Sequence, residues 1–185
     1  MTGTPTQHAK ADNVRLRSAK PQDYKAIMRL YDEGLLTGTH DPEDPIDDLV
    51  HLRHTYLATP RHHFWVAQID DRVVGMVGLI DVGGAVARIR RLRVDPPWQE
   101  TDLPCQLIQV ALRYGQAHGY LKIILDTHAH VDRKMRFLTD LGFQHAGSRC
   151  VNGKTRMAFY VNLYREAQPP GTKNQTSTQE RTSKG

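Results

Sequence analysis

The stretch "RRLRVDPPWQETDLPCQLIQVAL", residues 90–112, joins an alternating segment, a proline-marked bend and an amphipathic helical pattern. Leu103, Leu107, Ala111 and Tyr114 fall on one stripe with Ile108 and Leu112 beside it, and Gly119 stands where the helix stops. A strand that feeds a helix N-terminus offers unbonded N–H groups and the positive end of the helix dipole, which favours anions. A bend that lets a phosphate come close also wants glycine, and here Asp102 and Pro104 occupy it.

Working outward, "HHFWVAQI", "RVVGMVGLIDV" and "AVARIRRLRV" are three strand-like runs divided by "DD" and "GG", the punctuation of a meander. Ahead of them, "NVRLR" alternates as a short strand. Pro21 then opens a helical pattern in which Ile27, Leu30, Tyr31 and Leu35 recur up to about Leu36. Asp44 as cap and Pro45 at the first helical position predict a second helix through about Ala58. Downstream, "YLKIILD" is the nearly continuous apolar run of a strand covered on both faces. Val131, Met135 and Leu138 predict a helix ending at Gly142, and "FQHAGSR" with "KTRMAFYVNL" predict a hairpin about Asn152-Gly153. The order predicts an α/β domain: a mixed, mostly antiparallel sheet of about seven strands with helices on both faces.

With 185 residues and 39% hydrophobic content, the chain suits one domain with a substantial core. Residues 1–12 and 168–185 are polar and short of large apolar side chains, so they are expected to be disordered and the domain to occupy 13–167. The net charge of +5 is partly in the tail, where Lys173, Arg181 and Lys184 face only Glu180. The bias on the domain is too mild for a nucleic-acid footprint. Cys105 and Cys150 give neither a disulfide framework nor a zinc set, and His128 and His130 alternate onto one face without a third ligand, so no metal site is assigned. No apolar run approaches the ~20 residues that cross a bilayer, and the first residues lack the apolar centre of a secretory signal. No membrane association and a cytoplasmic location are expected.

The stretches "VVGMVGLI", "RLRVDPPWQ", "GYLKIILDT" and "FLTDLGFQHAG" resemble, in order and spacing, the GNAT superfamily of N-acetyltransferases over residues 14–163. The resemblance implies the acyl-CoA N-acyltransferase fold, in which an opening between the fourth and fifth strands holds acetyl-CoA as co-substrate. It implies that the pantetheine pairs with the backbone of Leu92, Arg93 and Val94. A loop of pattern Q/R-x-x-G-x-G/A then takes the pyrophosphate, here Gln99, Glu100, Thr101, Asp102, Leu103 and on to Cys105. Asp102 and Pro104 fall on its two glycine positions. Proline lacks an N–H, and an aspartate ~4 Å from a phosphate oxygen would repel it by several kcal/mol at an effective dielectric near 20. Thr101 or Asp102 is alternatively an ordinary helix cap.

Many members carry a tyrosine that protonates the departing thiolate four residues before the glycine of "LTDLGF". That position is Leu138, whose place on the apolar stripe predicts packing; the family's asparagine position is Val131. Members often set a carboxylate base on the fourth strand, where this chain has Arg88, Arg90, Arg91 and Arg93. Strict alternation puts Arg88 and Arg90 on the face of Leu92 and Val94, with Arg91 and Arg93 opposite. Such a cluster clamps an anionic acceptor or coenzyme phosphates, or serves as structural pairing to acidic helices. Asp126 and His128, ending the fifth strand, are the base candidates by position. The carboxylates of "HDPEDPIDD" are expected in a solvated loop and helix start, with attraction of a cationic acceptor as the alternative.

Three functions follow: an acetyl-CoA-dependent N-acetyltransferase acting on a small-molecule or protein amine; a module that keeps the fold but has lost normal coenzyme binding and turnover; and a nucleic-acid binder, resting only on the arginine strand and the basic tail. A homodimer is the assembly expected if the chain associates.

Overall fold

The computed structural model describes residues 13–36, 45–128, 136–151 and 153–164. The chain runs β1 (Arg15–Ser18), α1 (Tyr24–Glu33), α2 (Asp47–Val50), β2 (His63–Ile69), β3 (Arg72–Asp81), β4 (Val86–Val94), α3 (Leu103–Ala117), β5 (Lys122–His128), α4 (Phe137–Asp140), β6 (Gln144–Val151) and β7 (Lys154–Asn162). The strands form one seven-stranded sheet in the order β1-β2-β3-β4-β5-β7-β6. Its neighbours are antiparallel except β4 and β5, which are parallel. The expected element order and mixed sheet are therefore present.

One boundary differs from expectation. The second helix starts at Asp47 rather than Pro45 and gives way to a wide π-type turn at Arg53–Leu57. That turn keeps Tyr56 facing Asp48, to which its hydroxyl donates at 2.5 Å. The helix before Gly142 is described only from Phe137, since Val131 and Met135 lie outside the described residues, as do Asp44, His130 and Asn152. No helix among the described residues is long and apolar enough to cross a membrane.

Apolar layers cover both faces of the sheet. Leu103, Leu107, Ile108 and Ala111 of α3 pack with Ala87, Ile89, Leu92 and Val94 of β4 and with Ile123 and Leu125 of β5. On the other face Ile27, Leu30 and Tyr31 of α1 join Leu49, Tyr56, Phe64 and Met76. Gly78 on β3 is required there, because a Cβ would sit 2.8 Å from the Tyr56 ring and 3.0 Å from Phe64.

The decisive irregularity is in β4. Met76 faces Arg93 and Gly78 faces Arg90, so two steps on β3 span three on β4. The extra residue sits at a bulge where Arg91 takes φ 57°, a left-handed conformation unusual for a non-glycine residue. The bulge inverts the parity of burial: Ala87 and Ile89 precede it and Leu92 and Val94 follow it on the same α3 face. Arg88 and Arg90 therefore do not share the face of Leu92 and Val94, as strict alternation required. All four arginines stand on the opposite face.

Arg91 is buried, and its guanidinium reaches Asp48 at 2.5 Å and the Pro45 carbonyl at 2.5 Å and lies over the Tyr31 ring. Arg90 lies 3.7 Å from the same carboxylate. Asp48 is thus a buried anchor and not part of a solvated loop. Burial alone would push its carboxyl up, but hydrogen bonds from Arg91 and Tyr56 hold it below the ordinary value. Its stabilising contribution is therefore complete above the ordinary value near 3.8 and is lost as pH falls through the lower folded value. Asp48→Ala strands a buried guanidinium and is expected to cost about 3–5 kcal/mol in urea unfolding at neutral pH. The gap from wild type should narrow when unfolding is followed at pH values below the ordinary value near 3.8. An unchanged urea midpoint at neutral pH would mean that Asp48 does not anchor Arg91.

Candidate functional site

The parallel ladder between β4 and β5 runs from Val86–Lys122 to Ile89–Leu125 and stops. β5 continues to His128 along β7, while β4 continues through its bulge to Val94 along β3. Past Ile89 and Leu125 no ladder joins the two strands, and this unpaired span, here called the opening, lies ahead of the N-terminus of α3 that follows β4.

The segment expected to meet pantetheine already has partners. The Val94 N–H donates to the Gly34 carbonyl at 2.9 Å, and the Val94 carbonyl accepts from Gln99 Nε2 at 3.0 Å. The Leu92 carbonyl accepts from the Arg93 side chain at 3.0 Å. Gln99 also donates to the Leu35 carbonyl at 3.2 Å, so its amide points back into the protein. Thr101 Oγ1 donates to the Trp98 carbonyl at 2.7 Å and accepts the Leu103 N–H at 3.2 Å, which makes Thr101 the cap of α3. Asp102 is exposed and takes a hydrogen bond from Gln106 at 2.7 Å without capping the helix; Glu100 is exposed on the same bend. Leu103 and Pro104 are buried. The Cys105 N–H belongs to the first helical turn, where helix geometry supplies no acceptor. Burial, with Asp102 and then Asp140 nearby, pushes the Cys105 thiol up.

Across the opening, Asp126 lies 3.3 Å from Arg88 and 3.9 Å from Arg149 of β6. His128 ends β5 opposite Arg156 of β7. Leu138 is 1% exposed within the α3-side core, the packing role expected of it. A separate hollow of about 550 Å³, lined in part by Ile69, Arg72 and Trp98, lies at the β2–β3 turn; its buried carboxylate, Asp95, is committed to Arg29 at 2.5 Å and Arg72 at 3.0 Å.

Two participants escaped sequence reasoning. Gly34 closes the first helix against β4: a Cβ there would lie 2.7 Å from the Leu30 carbonyl oxygen and 3.1 Å from the Val94 nitrogen. The glycine after "YDE" was the available signal. Arg149 follows from hairpin counting about Asn152-Gly153, which sets it opposite Arg156.

A seven-stranded sheet that opens beside its parallel pair, with a helix N-terminus at the opening, is the architecture of the acyl-CoA N-acyltransferases. The sequence matches the Acetyltransferase (GNAT) family over residues 24–143, and the chain belongs to that family. Among curated relatives, N-acetyltransferase 8 of Homo sapiens is 30% identical over 105 residues, covering 54% of this chain and 46% of its own length. N-acetylaspartate synthetase of Xenopus tropicalis is 28% identical over 101 residues, covering 54% and 37% respectively. The chain thus spans less than half the length of these two relatives. An acetyltransferase of the GNAT family from Staphylococcus aureus Mu50 superposes with TM-score 0.70 at 17% identity, over 82% of this chain and 99% of that one. Spermidine N-acetyltransferase of Vibrio cholerae, solved in complex with CoA and spermine, does so with TM-score 0.64 at 19% identity, over 82% and 96%. At these identities the solved structures share the fold alone.

The electrostatics of the α3 N-terminus can be read from its thiol. Cys105 is half-buried with its thiol pushed up, whereas Cys150 is exposed on β6. Iodoacetamide at neutral pH, followed by peptide mass spectrometry, should label Cys150 several-fold faster than Cys105. Faster labelling of Cys105 would mean that the helix dipole outweighs burial and the neighbouring carboxylates.

Proposed function

We propose that the chain is an acetyl-CoA-dependent N-acetyltransferase acting on an amine acceptor at the β4–β5 opening. The observation that carries this reading is the end of the parallel ladder at Ile89 and Leu125. Leu92, Arg93 and Val94 would line the pantetheine, and Gln99, Glu100, Thr101, Asp102, Leu103 and Cys105 would surround the pyrophosphate. For Val94 to pair with pantetheine, its bonds to Gly34 and Gln99 must be exchanged, so binding is expected to shift the end of α1. The first-turn N–H of Cys105 remains a phosphate donor, set against the charge of Asp102.

The acceptor ammonium first gives up a proton, to Asp126 or His128 directly or through water. Its nitrogen then bonds to the thioester carbonyl carbon and the carbon–sulfur bond breaks. The acetylated nitrogen sheds its second proton, which water relays to the departing thiolate, because Leu138 stands where many members of the family carry a tyrosine.

The second reading, a module that has lost normal coenzyme binding, is favoured by the prior engagement of both Val94 backbone groups. Titration calorimetry with acetyl-CoA decides between them. Binding, with acetyl transfer to an amine, is expected; no heat and no thermal shift at millimolar acetyl-CoA would sink the enzyme reading. Asp102→Gly combined with Pro104→Gly restores an N–H and removes a charge, and should tighten binding about tenfold or more. Unchanged affinity would place the pyrophosphate elsewhere.

A further inference from the structure

We infer that the acceptor is an amine that also carries a carboxylate, and that Arg88 and Arg149, supported by Arg156, form the subsite for that anionic group. The inference rests on the transfer reading above and concerns the opposite side of the opening from the pyrophosphate bend.

Ordinary alternation along β4, β5 and the β6–β7 ladder gathers the cations, since Arg88 precedes the bulge. On β5, Ile123 and Leu125 face α3, so Asp126 faces the other way, and its contacts with Arg88 and Arg149 confirm that side. Arg156 pairs with Arg149 across the β6–β7 ladder and with His128 across β5–β7, which places it on the same face. Arg90 and Arg91 are tied to Asp48, but Arg88 and Arg149 have in Asp126 a single carboxylate that both reach among the described residues. Two guanidiniums around one carboxylate leave positive charge beside the end of the ladder.

Arg88 supplies a second indication. Its Nε is buried and has no hydrogen-bond partner among the described residues. A buried donor left unbonded is costly, and the rest of the side chain, 39% exposed, is the part an entering anion can meet. Arg149 is 62% exposed, so its fork is open to an entering ligand. Planar guanidinium forks match carboxylate geometry in pairs of parallel hydrogen bonds, which orients the ligand as well as attracting it. Asp126 is then placed to receive the ammonium while the arginines receive the carboxylate, the charge pattern of an amino acid. A polyamine would set extra positive charge against these guanidiniums and be disfavoured.

The test begins without coenzyme. Succinate, as a carboxylate probe, is titrated into the full chain and followed by amide chemical shifts, with putrescine as the cationic control. Saturable succinate binding in the millimolar range is expected, weakened at least fivefold in Arg149→Gln, and weakened more by Arg88→Gln than by Arg88→Lys. Failure of succinate to bind, equal affinity in Arg149→Gln, or tighter binding of putrescine overturns the inference. In turnover with acetyl-CoA, glutamate should exceed its diamide at least tenfold in kcat/KM, with Arg149→Gln acting on the KM for glutamate and leaving that for the diamide. A diamide acetylated as well as glutamate also overturns it. Succinate binding intact with no acetyl-CoA binding would refute the transfer reading while upholding the anion subsite.

Discussion

The bulge at Arg91 is the constraint on which the rest of the molecule turns. Holding a non-glycine residue at φ 57° costs about 1–2 kcal/mol. It persists because the Arg91 side chain is fixed by Asp48, the Pro45 carbonyl and the Tyr31 ring. The same pair ties the start of the second helix to the middle of the sheet, and Tyr56 completes the tie through its hydroxyl. The β4–β5 ladder ends at Ile89, just before the bulge. Without the extra residue, alternation would turn Leu92 and Val94 away from α3.

Element order was legible in the sequence because each element carries its own punctuation. The "DD" and "GG" turns, the stripe from Leu103 to Ala111, and the two runs that pair as β6 and β7 all act locally, and these strands and this helix fall where they indicate. The bulge is different. Nothing local marks it, since Arg91 is not glycine and its strain is repaid by Asp48, distant in sequence. The assignment of arginines to faces therefore failed at one residue and, because side chains alternate, failed for every residue on one side of it. For the same reason Asp48 looked like one more carboxylate in an acidic loop. Its burial depends on the conformation of Arg91.

The bend before α3 illustrates another limit of spacing. Gln99 lies at the family's first loop position, yet its amide binds the Leu35 and Val94 carbonyls and so knits the end of α1 to the end of β4. Thr101 satisfies the Leu103 N–H, and Pro104 has none to satisfy. A bend that meets its own polar requirements is stable without an anion. A bend built of glycines leaves donors to water and gains more when phosphate arrives. Asp102 and Pro104 thus belong to a bend whose stability does not depend on an anion, and under the transfer reading proposed above coenzyme would exchange some of these internal bonds for its own.

The two sides of the opening differ in charge in a way that bears on both substrates. Around the start of α3, burial and then Asp102 and Asp140 push the Cys105 thiol up, so the helix dipole acts there against nearby negative charge. Across the opening, Arg88 and Arg149 flank Asp126 with positive charge. A transferase for polyamines would be served better by the reverse arrangement, with cations at the phosphates and carboxylates at the acceptor. Arg88 lies ahead of the bulge in the regular part of β4, so the sign of the charge beside the end of the ladder follows from which residues β4 and β6 carry there and not from the irregularity itself.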